Sequence, residues 1–370
     1  MEAKAFWVGF NLVKGIGAVR LRALLDHFGD LSLAWDAPAD ALLAAGLNAR
    51  LVEKVLQVRK QTDLEKTWSH IQDQGIKVLT WQDGDYPERL REIDQSPPVL
   101  YLRGTFQPED ASAVAIVGTR RVTAYGRQVA DELAAYLGRN GVTVISGLAR
   151  GTDAIAHQSA IKAGGRTIAV LGCGIDRVYP PENRQLAEQV IAHGCLLTDY
   201  SVGTPPEGVN FPPRNRIISG LALATIVIEA GEESGALITA TFAAEQGREI
   251  FAVPGGIYAP QSKGTNRLIQ QGARPLLAVQ DVLEALNLTM VNQQNAARRV
   301  LPSDALEASI FQALGCEPVH VDEMCVQLNQ PIEKLSAALA MMELKGMVRQ
   351  VGGMNFVAIH EAFPEYGVDQ

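Results

Sequence analysis

Between Gly208 and Gly220 the chain reads Gly-Val-Asn-Phe-Pro-Pro-Arg-Asn-Arg-Ile-Ile-Ser-Gly. Guanidinium forks beside a helix start suit a phosphate, and an exposed ring next to them offers a stacking surface for a base. Two prolines follow Phe211, which places it outside a helix and puts Arg214, Asn215 and Arg216 just before the helix-competent run 217–224. The alternative is a loop whose ring packs inward and whose arginines are solvated. From this stretch alone both readings stay open.

Further loops carry similar chemistry. Ala115-Ile-Val-Gly118-Thr-Arg120-Arg121 ends a buried apolar run, and a helix begins near Tyr125. Glycine lets backbone approach an anion there, and Arg120 or Arg121 can hold phosphate. A dinucleotide fingerprint needs Gly-x-Gly-x-x-Gly at this turn and an acidic residue ending the next strand. Only Gly118 fits, and the second strand ends in Ser146-Gly147, so a nicotinamide or flavin site is not expected. The next loop offers Gly147, Arg150 and Gly151, with Thr152 or Asp153 as a helix cap. His157 reads as a packed core histidine, and Cys173, with no base in its motif, as structural. Ser234-Gly235 opens another helix, and Pro254-Gly-Gly is followed by Gly264-Thr-Asn. These loops supply no paired carboxylates, activated nucleophile or metal cluster, and no cofactor is expected. Their pattern points to a binding surface and not to an enzyme.

The elements that position these loops alternate. Strands are expected at 113–117, 143–146, 167–171, 196–198, 224–229 and 249–253, with helices between. That pattern gives a mostly parallel, Rossmann-like α/β sheet with its loops at one ligand-binding edge. Residues 73–285 form this extended domain. Residues 1–72 read as helical. Within them Asn11-Leu-Val-Lys14-Gly15-Ile-Gly17-Ala-Val-Arg20-Leu-Arg22 has the shape of a helix-hairpin-helix, a motif that presents backbone N–H groups to DNA phosphates, or of a plain helical hairpin. Residues 286–304 are a polar linker. Residues 305–370 read as three helices and a two-stranded wing turning at Gly352-Gly353, with Ile332, Leu335, Leu339 and Met342 on one face of the third helix.

Composition sets outer bounds. Hydrophobic residues make up 47% and charged residues 20%, which supports a sizeable core. The net charge of −8 means that any nucleic-acid site must be a local patch. The start lacks a signal peptide's pattern, no apolar run spans a bilayer, and the four scattered cysteines have no metal-ligand spacing. A cytoplasmic protein with no membrane contact is expected.

Val117-Gly-Thr-Arg-Arg, Ser146-Gly-Leu-Ala-Arg-Gly-Thr-Asp, the Phe211-Pro-Pro-Arg-Asn-Arg run, Ser234-Gly-Ala-Leu-Ile-Thr and Pro254-Gly-Gly with Gly264-Thr-Asn resemble the DNA processing protein A family (DprA or Smf). The resemblance covers nearly the whole chain. It implies a protein that binds incoming single-stranded DNA during natural transformation, shields it and helps load the recombinase RecA, as a homodimer through the core domain. Arg120 or Arg121 would hold phosphate, and Phe211, Arg214, Asn215 and Arg216 would line the strand groove. Gly147, Ser234 and Gly235 would form its floor, with Arg150 beside them. The family's acidic-Tyr-Pro-Pro run is here Asp199-Tyr200-Ser201-Val202.

Residues 301–370 carry ten acidic side chains against three basic ones. A module this acidic repels a duplex and is expected to dock a protein. A rival reading is a nucleotide hydrolase of the lysine-decarboxylase-like type, acting on nucleoside monophosphates. Its Pro-Gly-Gly-x-Gly-Thr-x-x-Glu signature is broken here by an insertion after Gly256 and by Leu268 in the place of the Glu.

Overall fold

The structure, a computed structural model, describes residues 2–287, 305–314, 319–344 and 348–358. All but the first two residues of the expected 286–304 linker lie outside the described residues, as do Cys316 and Lys345. The chain divides into two compact units, residues 1–286 and 287–370.

The first unit opens with helices α1 (Ala3–Leu12), α2 (Ala18–Phe28), α3 (Leu31–Asp36), α4 (Ala39–Ala44), α5 (Ala49–Gln61) and α6 (Leu64–Asp73). Then follow β1 (Lys77–Thr80), α7 (Glu88–Arg91), β2 (Val99–Gly104), β3 (Ala113–Val117), α8 (Ala124–Arg139), β4 (Thr143–Ser146), α9 (Thr152–Lys162), β5 (Thr167–Val170), α10 (Arg184–His193) and β6 (Gly194–Thr198). The unit closes with α11 (Phe211–Leu221), β7 (Ala224–Val227), α12 (Gly235–Glu245), β8 (Glu249–Ala252), α13 (Lys263–Gln270), β9 (Arg274–Pro275) and α14 (Asp281–Ala285).

Among the described residues these strands form one nine-stranded sheet in the order β1-β2-β6-β5-β4-β3-β7-β8-β9. β1 and β2 pair antiparallel at one edge, and every pairing from β6 to β9 is parallel. Alternate side chains of a strand leave by opposite faces. Ala113, Ala115, Val117, Ile145, Ile168, Val170 and Leu197 accordingly join one core cluster with Ile217 and Ile218 of α11. Ala169 and Leu196 join another with Ala187 and Val190 of α10. That second cluster continues into Trp7, Phe10, Leu24 and Val55 of the leading helices. Asn11 adds polar ties, accepting from the Tyr101 hydroxyl at 2.9 Å and donating to the Asp199 carbonyl at 3.3 Å.

The second unit is a winged helix: α15 (Ala305–Ala313), β10 (Val319–His320), α16 (Val321–Leu328), α17 (Ile332–Leu344), β11 (Val348–Gly352) and β12 (Asn355–Ala358). Leu335, Leu339 and Met342 are buried, but Ile332, the first residue of α17, overhangs this core and stays exposed. The wing turns through Gly353 and Met354, one residue later than expected, and both have positive φ (56° and 62°). That is the conformation a two-residue hairpin turn of the I′ class demands.

His157 lies on α9, fully buried, with Nδ1 2.7 Å from Thr167 Oγ1. The Thr167 hydroxyl already donates to the Val144 carbonyl, so Nδ1 carries the proton and donates. Nε2 then faces the interior with no partner. Burial, with the Arg214 charge adding to it, pushes the His157 pKa down to about 3. The unfolded chain takes up this proton near pH 6.5 and the native chain does not. The stabilising contribution is complete above pH ~6.5 and is lost towards pH ~3, at about 1.4 kcal/mol per pH unit. Unfolding free energies from urea titrations between pH 6 and pH 5 should fall with about this slope, and His157→Asn should flatten it. An equally steep slope in the variant would assign the acid lability to other groups.

Candidate nucleic-acid interface

β3 and β7 are neighbours, yet the chain runs from β3 through β4 and β5 to β6 on one side, and from β7 through β8 to β9 on the other. Their carboxyl-end loops part here, which makes this the switch point where open α/β sheets bind ligands. A cleft of about 710 Å³ occupies the place, walled by Thr119 and Arg120 after β3, Asp153 after β4, Tyr179 after β5, Phe211 and Arg214 of α11, and Ser234 before α12.

α11 begins at Phe211, several residues before the expected start. Pro212 and Pro213 fall in its first turn, where a missing N–H costs nothing and a fixed φ is already helical. Arg214, Asn215 and Arg216 therefore lie on a helix, and successive residues there point about 100° apart. They cannot share a face. Arg214 turns inward and is 4% exposed. Its Nη1 donates to the Gly147 carbonyl at 2.9 Å and to the Val170 carbonyl. Asn215 bridges to the start of α12, Nδ2 donating to the Gly235 carbonyl at 3.3 Å. Arg216 turns away from the cleft, to Asp199 at 2.7 Å and the Gln95 carbonyl at 3.0 Å. The expectation that Arg216 lines the groove gives way to that ion pair. On the same loop the Tyr200 hydroxyl donates to the Asn210 carbonyl at 3.0 Å, just ahead of α11.

Phe211 is half-buried. Its ring rests on Gly172, where an added Cβ would meet Cδ1 at 2.7 Å, and the Tyr179 ring is 5.5 Å away. The guanidinium groups of Arg214 and Arg120 lie 5.9 and 6.0 Å from its centroid. Gly147 is buried beneath, where a Cβ would stand 2.7 Å from Arg214 Nη2 and 2.8 Å from Asp153 Oδ2. Asp153 does not cap α9, which begins at Thr152 with Gly151 as its N-cap. It accepts instead from the Gly147 and Ala149 amides at 3.1 and 3.3 Å. Burial raises its pKa and the Arg214 charge opposes that rise. Burial lowers the Arg214 pKa, and Asp153 opposes that in turn.

The other expected anion holders differ in availability. Arg120 is exposed on the cleft wall, with no ion pair among the described residues. Arg121 is exposed but lies outside the wall. Arg150 borders a small recess behind Phe211 and is ion-paired with Glu182. The α8 N-terminus already holds an anion: Glu229 accepts from the Thr123 amide at 2.9 Å and from the Thr123 hydroxyl, and fills the space that a Cβ on Gly126 would need. Ser234 caps α12 by accepting from the Ala236 amide at 3.3 Å. Burial raises the Cys173 pKa to about 11, so its thiol stays protonated near neutrality.

Sequence reasoning missed Tyr179, Gly172 and Glu229. A signal for Tyr179 was present, because Tyr179-Pro180-Pro181 repeats the aromatic-Pro-Pro order of Phe211-Pro212-Pro213.

The sequence matches the family described as DNA recombination-mediator protein A over residues 77–287 and the DprA winged helix domain over residues 294–354. It is 36% identical to Protein Smf of Synechocystis, over 95% of this chain and 98% of that protein. It is 42% identical to DNA processing protein DprA of Bacillus subtilis, over 60% of this chain and 75% of that one. Among solved structures it is similar to DNA processing protein A of Streptococcus pneumoniae, with a TM-score of 0.66 and 31% identity over 77% of this chain and 98% of that one. It is also similar to DNA processing protein A of Helicobacter pylori, solved for its single-stranded DNA binding mode, with a TM-score of 0.52 and 30% identity over 57% of this chain and 95% of that one.

Arg214→Ala should destabilise the first unit by about 3–5 kcal/mol, because it strands a buried carboxylate. Adding Asp153→Ala should recover part of that loss. Thermal unfolding of the wild type, both single variants and the double variant measures the coupling, and simple additivity would remove it.

Proposed function

The chain belongs to the DNA recombination-mediator protein A (DprA/Smf) family, and on that premise we propose that its cleft grips unpaired DNA and performs no bond chemistry on it. The observation that carries this reading is the Phe211 ring, flanked by the Arg120 and Arg214 guanidinium groups at the mouth of the switch-point cleft. A ring of this kind takes a base by stacking, whatever its identity, while a nearby free cation takes the phosphate. Phe211 and Tyr179 receive bases and Arg120 a phosphate. Gly147, Asn215, Ser234 and Gly235 shape the floor beneath. Arg150 joins only when a phosphate displaces Glu182 from it. Arg214 acts as the positioning group that fixes Phe211.

In this reading the protein shields single-stranded DNA in the cytoplasm during natural transformation and recombination, and passes it to the recombinase RecA. Strand binding belongs to residues 73–285, which also form the homodimer. Residues 1–72 and the winged helix serve partners. The outward residues of α17 include Glu333, Ala337, Ala340 and Met341, with Lys334 the basic side chain among them. Base edges in a major groove are read by arginine, lysine, asparagine and glutamine, so this helix suits a protein surface better than a duplex.

Mobility shifts with single- and double-stranded oligonucleotides, using the full chain and residues 1–300, test the reading. Both forms should prefer the single strand. Phe211→Ala should cost about 1–3 kcal/mol of affinity. Arg120→Ala should weaken binding alike across sequences and reduce the slope of log affinity against log salt by about 0.7. Arg216→Ala should leave affinity unchanged. Wild-type affinity in both the Phe211 and Arg120 variants would overturn the assignment.

A further inference from the structure

We propose that the bound strand runs on from the Phe211 cleft along the sheet edge, and that Tyr258, in the loop after β8 to which Tyr125 is hydrogen-bonded, forms a second base-stacking station. The proposal rests on the single-strand reading of the cleft and extends it.

Tyr258 is 90% exposed and its neighbour Ile257 72%, at the carboxyl end of β8. The loop that presents them is braced. Asn266 clamps Gly255 twice, accepting from its amide at 3.2 Å and donating to its carbonyl at 2.9 Å. The Ala259 amide closes a turn onto the Gly256 carbonyl at 2.9 Å. Tyr125, in the first turn of α8 and 48% exposed, donates its hydroxyl to the Pro254 carbonyl at 3.0 Å. Its ring is therefore tied to the same loop. Two exposed aromatic rings on a fixed support have no use in the cleft itself.

Their place along the edge supplies the argument. The strand order β5-β4-β3-β7-β8 sets the loops of Tyr179, Arg120 and Arg121, and Tyr258 out in sequence. Four strand gaps of about 4.8 Å put the two ends roughly 19 Å apart, a distance that several nucleotides must cover. Arg121 stands between the stations, exposed, with no side-chain partner among the described residues. Rings alternating with free cations are what a polynucleotide without sequence preference needs: stacking at the bases and neutralisation at the phosphates. Glu232, on the intervening loop, has Lys263 4.0 Å away, so its charge is partly matched.

Fluorescence anisotropy on the full chain, with oligothymidylates of about four and about twenty nucleotides, separates this extension from the cleft itself. Phe211→Ala should weaken both probes. Tyr258→Ala should leave the short probe unaffected and weaken the long one by about tenfold, with Tyr258→Phe restoring it. If Phe211→Ala weakens both probes while Tyr258→Ala changes neither, the extension is overturned and the cleft stands. If Phe211→Ala is inert while Tyr258→Ala weakens the long probe, the station stands and the cleft reading falls. Sedimentation of the Tyr258→Ala protein checks the competing occupant. A shift to a smaller oligomer would mark the loop as a contact between copies of this chain and overturn the proposal.

Discussion

Arg214 enters the sheet edge from the first turn of α11 and donates to the carbonyls of Gly147 and Val170, beside the ends of β4 and β5. Carbonyls at strand ends inside a protein need partners, and a planar guanidinium reaches two of them at once. A charge this deeply buried is tolerated only near an opposite one, and Asp153 provides it while also collecting two loop amides. The ends of β4 and β5, the loop between β4 and α9, and the starts of α9 and α11 are tied together by this contact. It also fixes Phe211, three residues earlier and on the same side of the helix. The ring can then settle only where the opposing backbone has no side chain, at Gly172, and the guanidinium only where Gly147 lets it pass.

Electrostatics at the rim follow from which anion sites are already filled. A helix N-terminus at the ligand edge invites an anion, but at α8 Glu229 is that anion and holds the β3 loop to the end of β7. Arg150 is likewise engaged by Glu182, and Arg216 by Asp199. Arg120 and Arg121 are left as the uncommitted cations of their loop. On the proposed reading, a site with few free charges and two rings, Phe211 and Tyr179, owes its hold to stacking as well as to phosphate contacts. It can therefore keep a strand without the broad positive field that would also attract duplexes.

The sheet was legible because parallel strands buried on both faces are continuous apolar runs, and those at 113–117 and 143–146 stand where periodicity places them. The winged helix was legible from its helical spacing and its glycine turn. The start of α11 was not, because proline ends a helix in its interior and favours one in its first turn, and sequence does not say which applies. That ambiguity hid the roles of two arginines. Once residues 211–221 are helical, the rotation between neighbours sends Arg214 under the cleft and Arg216 out of it. Glu229 and Glu182 were hidden for another reason: their partners lie 106 and 32 residues away, and only the folded sheet edge brings them together.

Charge is divided along the chain in a way that fits this economy of cations. The net −8 of the whole falls almost entirely on residues 301–370, with ten acidic against three basic side chains, which leaves the rest near neutrality. Residues 1–286 alone carry a net −3 and exert no long-range pull on polyanions, so on the proposed reading the grip on a strand comes from short-range contacts in the cleft. Such contacts distinguish a strand whose bases are free to stack from one whose bases are already paired. On the proposed reading, a preference for unpaired DNA resides in rings such as the half-buried Phe211 and in the scarcity of free arginines around them, more than in any recognition of sequence.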